Sequence, residues 1–287
     1  ERLVPLLEEF QQRHPRVAPE SLGSMGDDSQ RGISVIKSIR EAAFSDSGLV
    51  LEHYRSYSDP SREPHKYFDK VWDLPEALLH KCTDRLMFEG YANPFQDSQV
   101  MENYLRWTGD SEGVIQQDGE TLANCSKAYP SYWMAPACRH NYTRCIPVVA
   151  GPLFPEQPMH WATAHNLPWA VTYNKDFKLS NLVELVRGWR VAYLFTDPAP
   201  TFADLHPSLI ILPRHDEEGW AAGDFRTGTS STSAFKLISR RIGVESPKVK
   251  RFMQRFKFNR ALVLHILDAL AGRVGGEPTE WQIACDW

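Results

Sequence analysis

Short apolar runs and helix-like segments alternate along residues 146–212 of this 287-residue chain. Four of the runs are short enough to be strands and lie at residues 146–150, 168–173, 191–195 and 209–212. Two segments with apolar residues at helical spacing separate them, at residues 159–166 and 179–186. Strands that alternate with helices at this spacing are typical of a parallel or mixed sheet covered by helices. The sequence therefore predicts an α/β fold.

The rest of the chain is predicted to be mainly helical. Apolar spacing predicts helices in the first half at residues 1–14, 33–44, 74–85 and 97–108. It predicts four more helices after the strand region, at residues 230–242, 247–256, 260–271 and 278–287. The Gly/Ser/Asp-rich stretch 23–32 is predicted to be a loop, and the stretch 54–72, dense in aromatics and prolines, to form short helices around a loop.

Five cysteines and two glycosylation triplets indicate an oxidising compartment. The cysteines are Cys82, Cys125, Cys138, Cys145 and Cys285. Two N-x-S/T triplets lie beside them and begin at Asn124 and Asn141, the predicted glycosylation sites. We predict one disulfide between Cys138 and Cys145, with any second bridge drawn from the other three cysteines. The expected location is the extracellular space or the secretory pathway, as a secreted domain or the ectodomain of a membrane protein.

The sequence lacks the common motifs of enzymes. It contains no G-x-S-x-G nucleophile elbow, no G-x-x-x-x-G-K-[ST] phosphate loop, no G-x-G-x-x-G and no H-E-x-x-H. Cys138, His140 and Cys145 are close enough in sequence to suggest zinc, but their spacing matches no common finger and a disulfide explains the cysteines better. The carboxylates at 216–218 are interpreted as a solvated turn. We therefore predict no catalytic residue, no metal and no cofactor.

The net charge and the hydropathy of the sequence argue against nucleic acid as a partner and against a membrane-spanning helix. The formal net charge is −4, and the basic residues between 248 and 260 alternate with apolar ones as on a solvated helix face. A nucleic-acid-binding domain usually has a strongly basic face, so nucleic acid is not expected as a partner. No apolar stretch approaches the roughly 18 residues of a membrane-spanning helix. The abrupt start and end suggest a segment of a longer protein.

Aromatic residues, 11 % of the chain, are the most informative candidates for a binding site. Several lie beside small or polar residues instead of in apolar stripes, which is compatible with a ligand cage as well as with a core. Aromatic rings offer their negative faces to a cationic head group, and a carboxylate adds charge complementarity. The predicted ligand contacts are Tyr57, Trp133, Trp161, Tyr193, Phe195 and the carboxylate of Asp197.

Several motifs resemble one known family. The stretch YLFTDP at 193–198 precedes SPKVKRFMQRF at 246–256, and EWQIACDW closes the chain at 280–287. In this order they resemble the second half of the glycine-betaine/proline class of substrate-binding proteins of ABC transporters. YWMAPACR at 132–139, WATAHNLP at 161–168 and LPRH at 212–215 are similar to eukaryotic, protist versions of such domains.

The resemblance implies a fold and a function. The fold would be α/β and of the two-lobed type II periplasmic-binding kind, with mixed sheets flanked by helices and a helical C-terminus. Residues 1–287 would form a single binding domain whose lobes divide roughly into 1–145 and 146–287, with crossovers. The ligand would be a small amine, amino acid, betaine or other osmolyte held in the interlobe cleft. A membrane transporter or receptor module in the parent chain would be the partner.

Two other functions stay open from the sequence. A secreted hydrolase would use His160, His165, Asp197 or the cluster at Asp216, and predicts a buried carboxylate–histidine pair. An adhesion or interaction module without a small-molecule site predicts a large exposed apolar patch.

Overall fold

A computed structural model of the protein describes residues 12–14, 19–88, 91–151, 156–258 and 260–271. Most of the helix predicted at 1–14, the helix predicted at 278–287 and Cys285 lie outside the described residues. The chain divides into two compact units. The sheet unit is Arg31–Ser230, and the terminal unit joins Glu1–Gln30 with Ser231–Trp287. The expected lobe boundary at residues 145 and 146 falls inside the sheet unit and stays a prediction.

The sheet unit is built on a mixed β-sheet with strand order β10-β1-β9-β7-β8-β6. The last residues of β1 (Pro19–Val35) form one strand of this sheet. The others are β6 (Trp133–Met134), β7 (Ile146–Ala150), β8 (Trp169–Tyr173), β9 (Ala192–Asp197) and β10 (Ser208–Leu209). β7 pairs in parallel with both β8 and β9, whereas β6 and β10 pair antiparallel with β8 and β1. The predicted α/β class with a mixed sheet is confirmed.

The parallel strands β7 and β8 are buried along their whole length. Their sequences, IPVVA and WAVTY, are almost continuously apolar, as expected of strands covered on both faces. The pairing runs in register from Ile146 opposite Trp169 to Ala150 opposite Tyr173. The carboxyl ends of these strands therefore lie side by side at one edge of the sheet.

Helices alternate with the strands of the sheet unit. They are α1 (Lys37–Ser47), α2 (Arg55–Ser58), α3 (Ser98–Thr108), α4 (Gln157–Ala164), α5 (Leu179–Gly188) and α6 (Glu217–Ala221). α1 and α3 each end at a glycine with a left-handed backbone, Gly48 at φ 68° and Gly109 at φ 70°. Glycine adopts this conformation without the cost of a Cβ, so both sequences stop the helix at these positions. Within the described residues, every helix is too short or too polar to cross a bilayer.

Two disulfides and two small hairpins complete the sheet unit. Cys138 is bonded to Cys145, as predicted, and Cys82 is bonded to Cys125. Because both cysteines of the 138–145 pair are oxidised, they are not zinc ligands. The hairpins are β2 (Leu86–Phe88) with β3 (Tyr91–Ala92), and β4 (Val114–Gln117) with β5 (Glu120–Ala123).

The terminal unit combines a long β-ribbon with helices. Its described elements are the first part of β1, β11 (Ser231–Ser239), α7 (Arg240–Glu245), α8 (Pro247–Arg255) and α9 (Arg260–Ala271). β1 and β11 pair antiparallel from Pro19 opposite Ser239 to Gln30 opposite Ser231, with two register shifts. The predicted helices at 247–256 and 260–271 are confirmed as α8 and α9.

The following three secondary-structure predictions are wrong. Residues 23–32 belong to strand β1 and residues 231–239 to strand β11, not to a loop and a helix. The two errors have one cause, since these segments pair with each other across about 200 residues of sequence. The helix predicted at 74–85 is reduced to a single 3-10 turn, Glu76–Leu78. There the chain instead donates a backbone hydrogen bond from His80 to Tyr173 O, and Cys82 forms its disulfide.

Candidate functional site

A cavity of about 320 Å³ opens at the carboxyl ends of the three parallel strands. Gly151 follows β7, Asn174 follows β8, and Thr196 is the next-to-last residue of β9. The carboxyl ends of strands are where ligands bind in open α/β sheets, because the connecting loops diverge there and leave a crevice. We call this space the Arg31 cavity, after the charged residue in its wall.

The walls of the Arg31 cavity are largely apolar. Its described apolar residues come from the start of α5, the loop before it and the end of β9: Phe177, Leu179, Leu182, Leu194 and Phe195. Leu182 and Leu194 are buried, whereas Phe177 and Phe195 are half-buried. Both phenyl rings are fixed by neighbours, Phe177 at 6.0 Å from Tyr173 and Phe195 at 5.2 Å from Phe202. An apolar wall with a few polar groups is the usual composition of a small-molecule site.

Arg31 brings positive charge to this apolar space. It lies on β1, which neighbours β9 in the sheet, and it is half-buried. Of the described residues that line the cavity, it is the one with a formal charge. Burial lowers the pKa of the Arg31 guanidinium from its ordinary value. A guanidinium matches a carboxylate with two parallel hydrogen bonds, so Arg31 is the group in this wall whose chemistry suits an anion.

Asn174 is another residue that lines the cavity, and its side chain is polar and buried. The side chain is 1 % exposed, and its Nδ2 donates a hydrogen bond of 2.7 Å to Lys178 O. This bond fixes the amide orientation, because a backbone carbonyl only accepts. The remaining atom, Oδ1, has no hydrogen-bond partner in the described part of the chain. A buried acceptor left in this state costs about 1–3 kcal/mol.

The loop between Asn174 and α5 has an unusual backbone. Asp176 and Phe177 have φ values of 55° and 51°, in the left-handed region that glycine favours. A bulky residue held there is strained, and such strain concentrates at ligand-binding sites. The conformation holds the Phe177 ring in the cavity wall, next to Asn174.

The structure places two predicted ligand contacts, Trp133 and Trp161, deep in the core. Both are fully buried. The Trp133 indole donates to Gly113 O at 3.0 Å, and the Trp161 indole donates to Thr227 O at 2.8 Å. Neither indole is among the described residues that line the Arg31 cavity, so their role as contacts stays a prediction.

The other four predicted contacts are not brought together in one site either. Tyr57 is buried and donates its hydroxyl to Leu51 O at 2.9 Å. Tyr193 and Phe195 both pack on Phe202, at 4.8 and 5.2 Å between ring centroids. Phe195 is the single predicted contact among the described residues that line the Arg31 cavity. Asp197 ends β9 and is 8 % exposed, but it is not among those lining residues.

The residues proposed for a hydrolase are not arranged as a catalytic pair in the described part of the chain. His160 is buried with neither ring nitrogen hydrogen-bonded, and His165 Nε2 lies 2.7 Å from the backbone oxygen of Arg226. Asp216 precedes the short helix α6 and is exposed. No group of three or more His, Cys, Asp or Glu side chains in that part could hold a metal ion.

The predicted glycosylation sites are sterically open. Asn124 and Asn141 are both exposed. Asn124 donates one amide hydrogen to Glu112 O, and Asn141 Oδ1 accepts from the Thr143 hydroxyl of its own triplet. Modification at these two positions stays a prediction.

Reasoning from the sequence missed Arg31 and Asn174. Asn174 directly follows the strand predicted at 168–173, and a polar residue at the carboxyl end of a strand in an α/β pattern is a signal that could have identified it. Arg31 lay in a stretch predicted to be a loop. Its place beside β9 depends on a strand pairing that no local pattern reveals.

Comparison with known proteins gives a remote similarity. No protein-family model and no curated protein matches the sequence. Solved structures of substrate-binding proteins for glycine betaine and proline are similar to the chain. One is the lactococcal OpuAC in its closed-liganded conformation complexed with glycine betaine, at 9 % identity and a TM-score of 0.33, covering 98 % of this chain and 70 % of that one. Another is the glycine/betaine/L-proline-binding protein ProX from Borrelia burgdorferi, at 9 % identity and 0.33, covering 97 % and 68 %. A similarity this remote carries no information about the ligand of this chain.

Proposed function

We propose that this chain is a solute-binding domain that holds a small zwitterionic solute in the Arg31 cavity. The observation that carries the proposal is the cavity itself, at the carboxyl edge of three parallel strands, with apolar walls and one guanidinium. The carboxylate of the solute would pair with Arg31, and its apolar part would contact the leucines and the two phenyl rings. Volume, position and composition are those of a small-molecule site.

This proposal changes the expected chemistry of recognition. An aromatic cage completed by Asp197 would bind a cationic head group. The Arg31 cavity offers a cation, so the anionic end of the solute supplies the main charge contact. The expected ligand is still an amine, an amino acid or an osmolyte, but only one that also carries a carboxylate.

The setting of the domain is also a proposal. Two disulfides and two exposed acceptor asparagines support an extracellular or secretory location. There the domain would capture solute for a membrane transporter or a receptor module. The two-lobed arrangement, with lobes that divide near residue 145, belongs to the same proposal.

The test is thermal unfolding of the full chain against amino acids, betaines, polyamines and sugars. A solute at 100 times its dissociation constant adds about 2.7 kcal/mol to stability. We expect this shift with carboxylate-bearing solutes and none with polyamines or sugars. Arg31→Gln should weaken binding about 10- to 100-fold, the usual worth of a hydrogen bond to a charged group.

A matched control is Arg85→Gln. Arg85 is 62 % exposed, pairs with Glu120 on the surface and is not among the described residues that line the cavity. It should leave the affinity unchanged. Equal binding by wild type and Arg31→Gln, or a shift with polyamines alone, would overturn the proposal.

An interaction module is the second candidate, because the terminal unit exposes large apolar side chains. Phe235, Val244 and Phe252 are 62 %, 79 % and 61 % exposed. Exposed apolar side chains that adjoin one another are typical of association surfaces. Sedimentation velocity of the full chain would test self-association: it should depend on concentration in the wild type and disappear in a Val244→Ser, Phe252→Ser variant. A concentration-independent monomer in both would remove this candidate.

A further inference from the structure

Asn174 gives the Arg31 cavity a second requirement, besides the carboxylate that Arg31 favours. Asn174 is one of the residues that line the cavity, and its Oδ1 is a buried acceptor that has no partner among the described residues. Its Nδ2 is already used by Lys178 O, so the amide cannot turn to offer a donor without breaking that bond. Only a group with an N–H or O–H bond satisfies Oδ1.

The two candidate classes of zwitterion differ in this one respect. The ammonium group of an amino acid carries three N–H bonds, that of proline or N-methylglycine carries two, and that of N,N-dimethylglycine carries one. A betaine carries none, because all its N–H bonds are replaced by N–CH₃ bonds. A betaine ammonium next to Oδ1 would leave the oxygen unpaired and place a methyl group against it.

Resting on the proposed function, we infer that the Arg31 cavity selects amino acids with at least one N–H bond over fully N-methylated betaines. Arg31 fixes the carboxylate and Asn174 Oδ1 accepts a hydrogen bond from the ammonium group. The phenyl rings of Phe177 and Phe195 line the cavity and would pack on the carbon skeleton of the solute. Sites built to hydrogen-bond a ligand reject the analogue that lacks the donor, since their own polar group is then left unpaired.

The experiment is calorimetric titration of the full chain with glycine, N-methylglycine, N,N-dimethylglycine and glycine betaine. The same comparison is then made with proline and its N,N-dimethyl derivative. The series keeps the carboxylate and removes N–H bonds in steps. We expect members that keep an N–H bond to bind, and the last methylation to weaken binding about 10-fold or more, the worth of one hydrogen bond to a charged donor.

Variants of Asn174 separate recognition from structure. Asn174→Ala should reduce the preference for N–H-bearing members to near unity. Asn174→Asp loses the donation to Lys178 O but keeps acceptor oxygens, so it should retain or increase the preference. A merely structural role of Asn174 would affect Asp and Ala variants alike. Asn181→Ala is the matched control, since Asn181 donates to Lys175 O in the same loop but is not among the residues that line the cavity.

The outcomes distinguish the two levels of the proposal. If the fully methylated members bind as tightly as the others or more tightly, the domain binds zwitterions but the inference about Asn174 is overturned. If no member of either series binds, the proposed function and this inference both fail. A preference for N–H-bearing members that survives in Asn174→Ala assigns the selection to another residue and also overturns the inference.

Discussion

His160 is a buried titratable side chain outside the Arg31 cavity. Its ring lies edge-on to Tyr104 and Phe225, with centroids 5.5 and 5.4 Å away. Neither ring nitrogen has a hydrogen-bond partner among the described residues. Burial lowers the pKa of His160 to about 4, whereas a histidine in the unfolded chain titrates near 6.5. As the pH falls, the unfolded chain therefore binds a proton at this histidine before the folded chain does.

The prediction concerns stability between pH 6.5 and pH 4. In this window the unfolded chain binds a proton that the folded chain excludes, so stability should fall by up to about 1.4 kcal/mol per pH unit from this residue alone. Above pH 6.5 both states are neutral and the effect is absent. His160→Phe fills a similar aromatic space without a titrating group, so its stability should depend less on pH in this window.

Urea unfolding at pH 7, 6 and 5 measures this difference. His140→Gln, at a side chain that is 81 % exposed, is the control for replacing a histidine as such. If the stability of the wild type and of His160→Phe falls equally with pH, the folded chain does not exclude a proton from His160 and the prediction is wrong.

The candidate site shows how far the role of a single residue could be predicted from the sequence. The strand that carries Phe195 could be predicted from its apolar pattern, whereas the role of Phe195 as a ligand contact stays a prediction. Trp133 and Trp161 are equally aromatic, but the sequence does not distinguish a ring that faces a cavity from one that fills the core. The choice depends on which neighbours cover the ring, and for Trp161 the covering group is Thr227 O, 66 residues away.

At the scale of elements, α3 is defined by its ends. Asp97 Oδ1 accepts hydrogen bonds from the backbone N–H groups of Gln99 and Val100, at 3.0 and 3.3 Å. These are two of the N–H groups that a helix leaves without an internal partner. The buried face of α3 then carries Met101 and Tyr104 into the core.

Removal of this cap should destabilise the protein. Asp97→Ala is expected to cost about 1 kcal/mol, within a range of about 0.5–2 kcal/mol, because the two N–H groups lose their acceptor. Asp97→Asn keeps the acceptor oxygen and should cost less. Chemical denaturation of both variants at neutral pH makes the comparison. An Asn variant that is as unstable as the Ala variant would indicate that the carboxylate charge, and not the cap, is what matters.

Elements whose signals are local could be predicted from the sequence. β7 and β8 are continuous apolar runs, and α9 has the predicted bounds, because each pattern is complete within one segment. β1 and β11 could not be predicted, since each is a strand only through the other. Gly23 and Gly26, with φ of 86° and 96°, resemble loop residues in sequence but accompany the register shifts of the ribbon. A long-range pairing overrides such local signals.

At the scale of the whole molecule, the described core belongs to the sheet unit. The main cluster of buried apolar residues extends from Ile33 to Ile210. Both disulfides lie in the same unit and close loops of very different length, with cysteines 43 and 7 residues apart in sequence. A cross-link stabilises the fold mainly by restricting the unfolded chain, and it does so more for a longer loop.

The two bridges should therefore contribute unequally. Loop-closure entropy predicts a loss of about 4 kcal/mol for a Cys82→Ala, Cys125→Ala variant and about 2.5 kcal/mol for a Cys138→Ala, Cys145→Ala variant. Burial does not reverse this order, because Cys138 and Cys145 are both buried and Cys82 is buried as well. Urea unfolding under non-reducing conditions measures both losses against the wild type. Wild type in reductant provides the control, since it should lose at least as much stability as either variant. A larger loss from the 138–145 variant would mean that the short bridge fixes native structure around β6 and β7, and that the chain-entropy argument does not govern this domain.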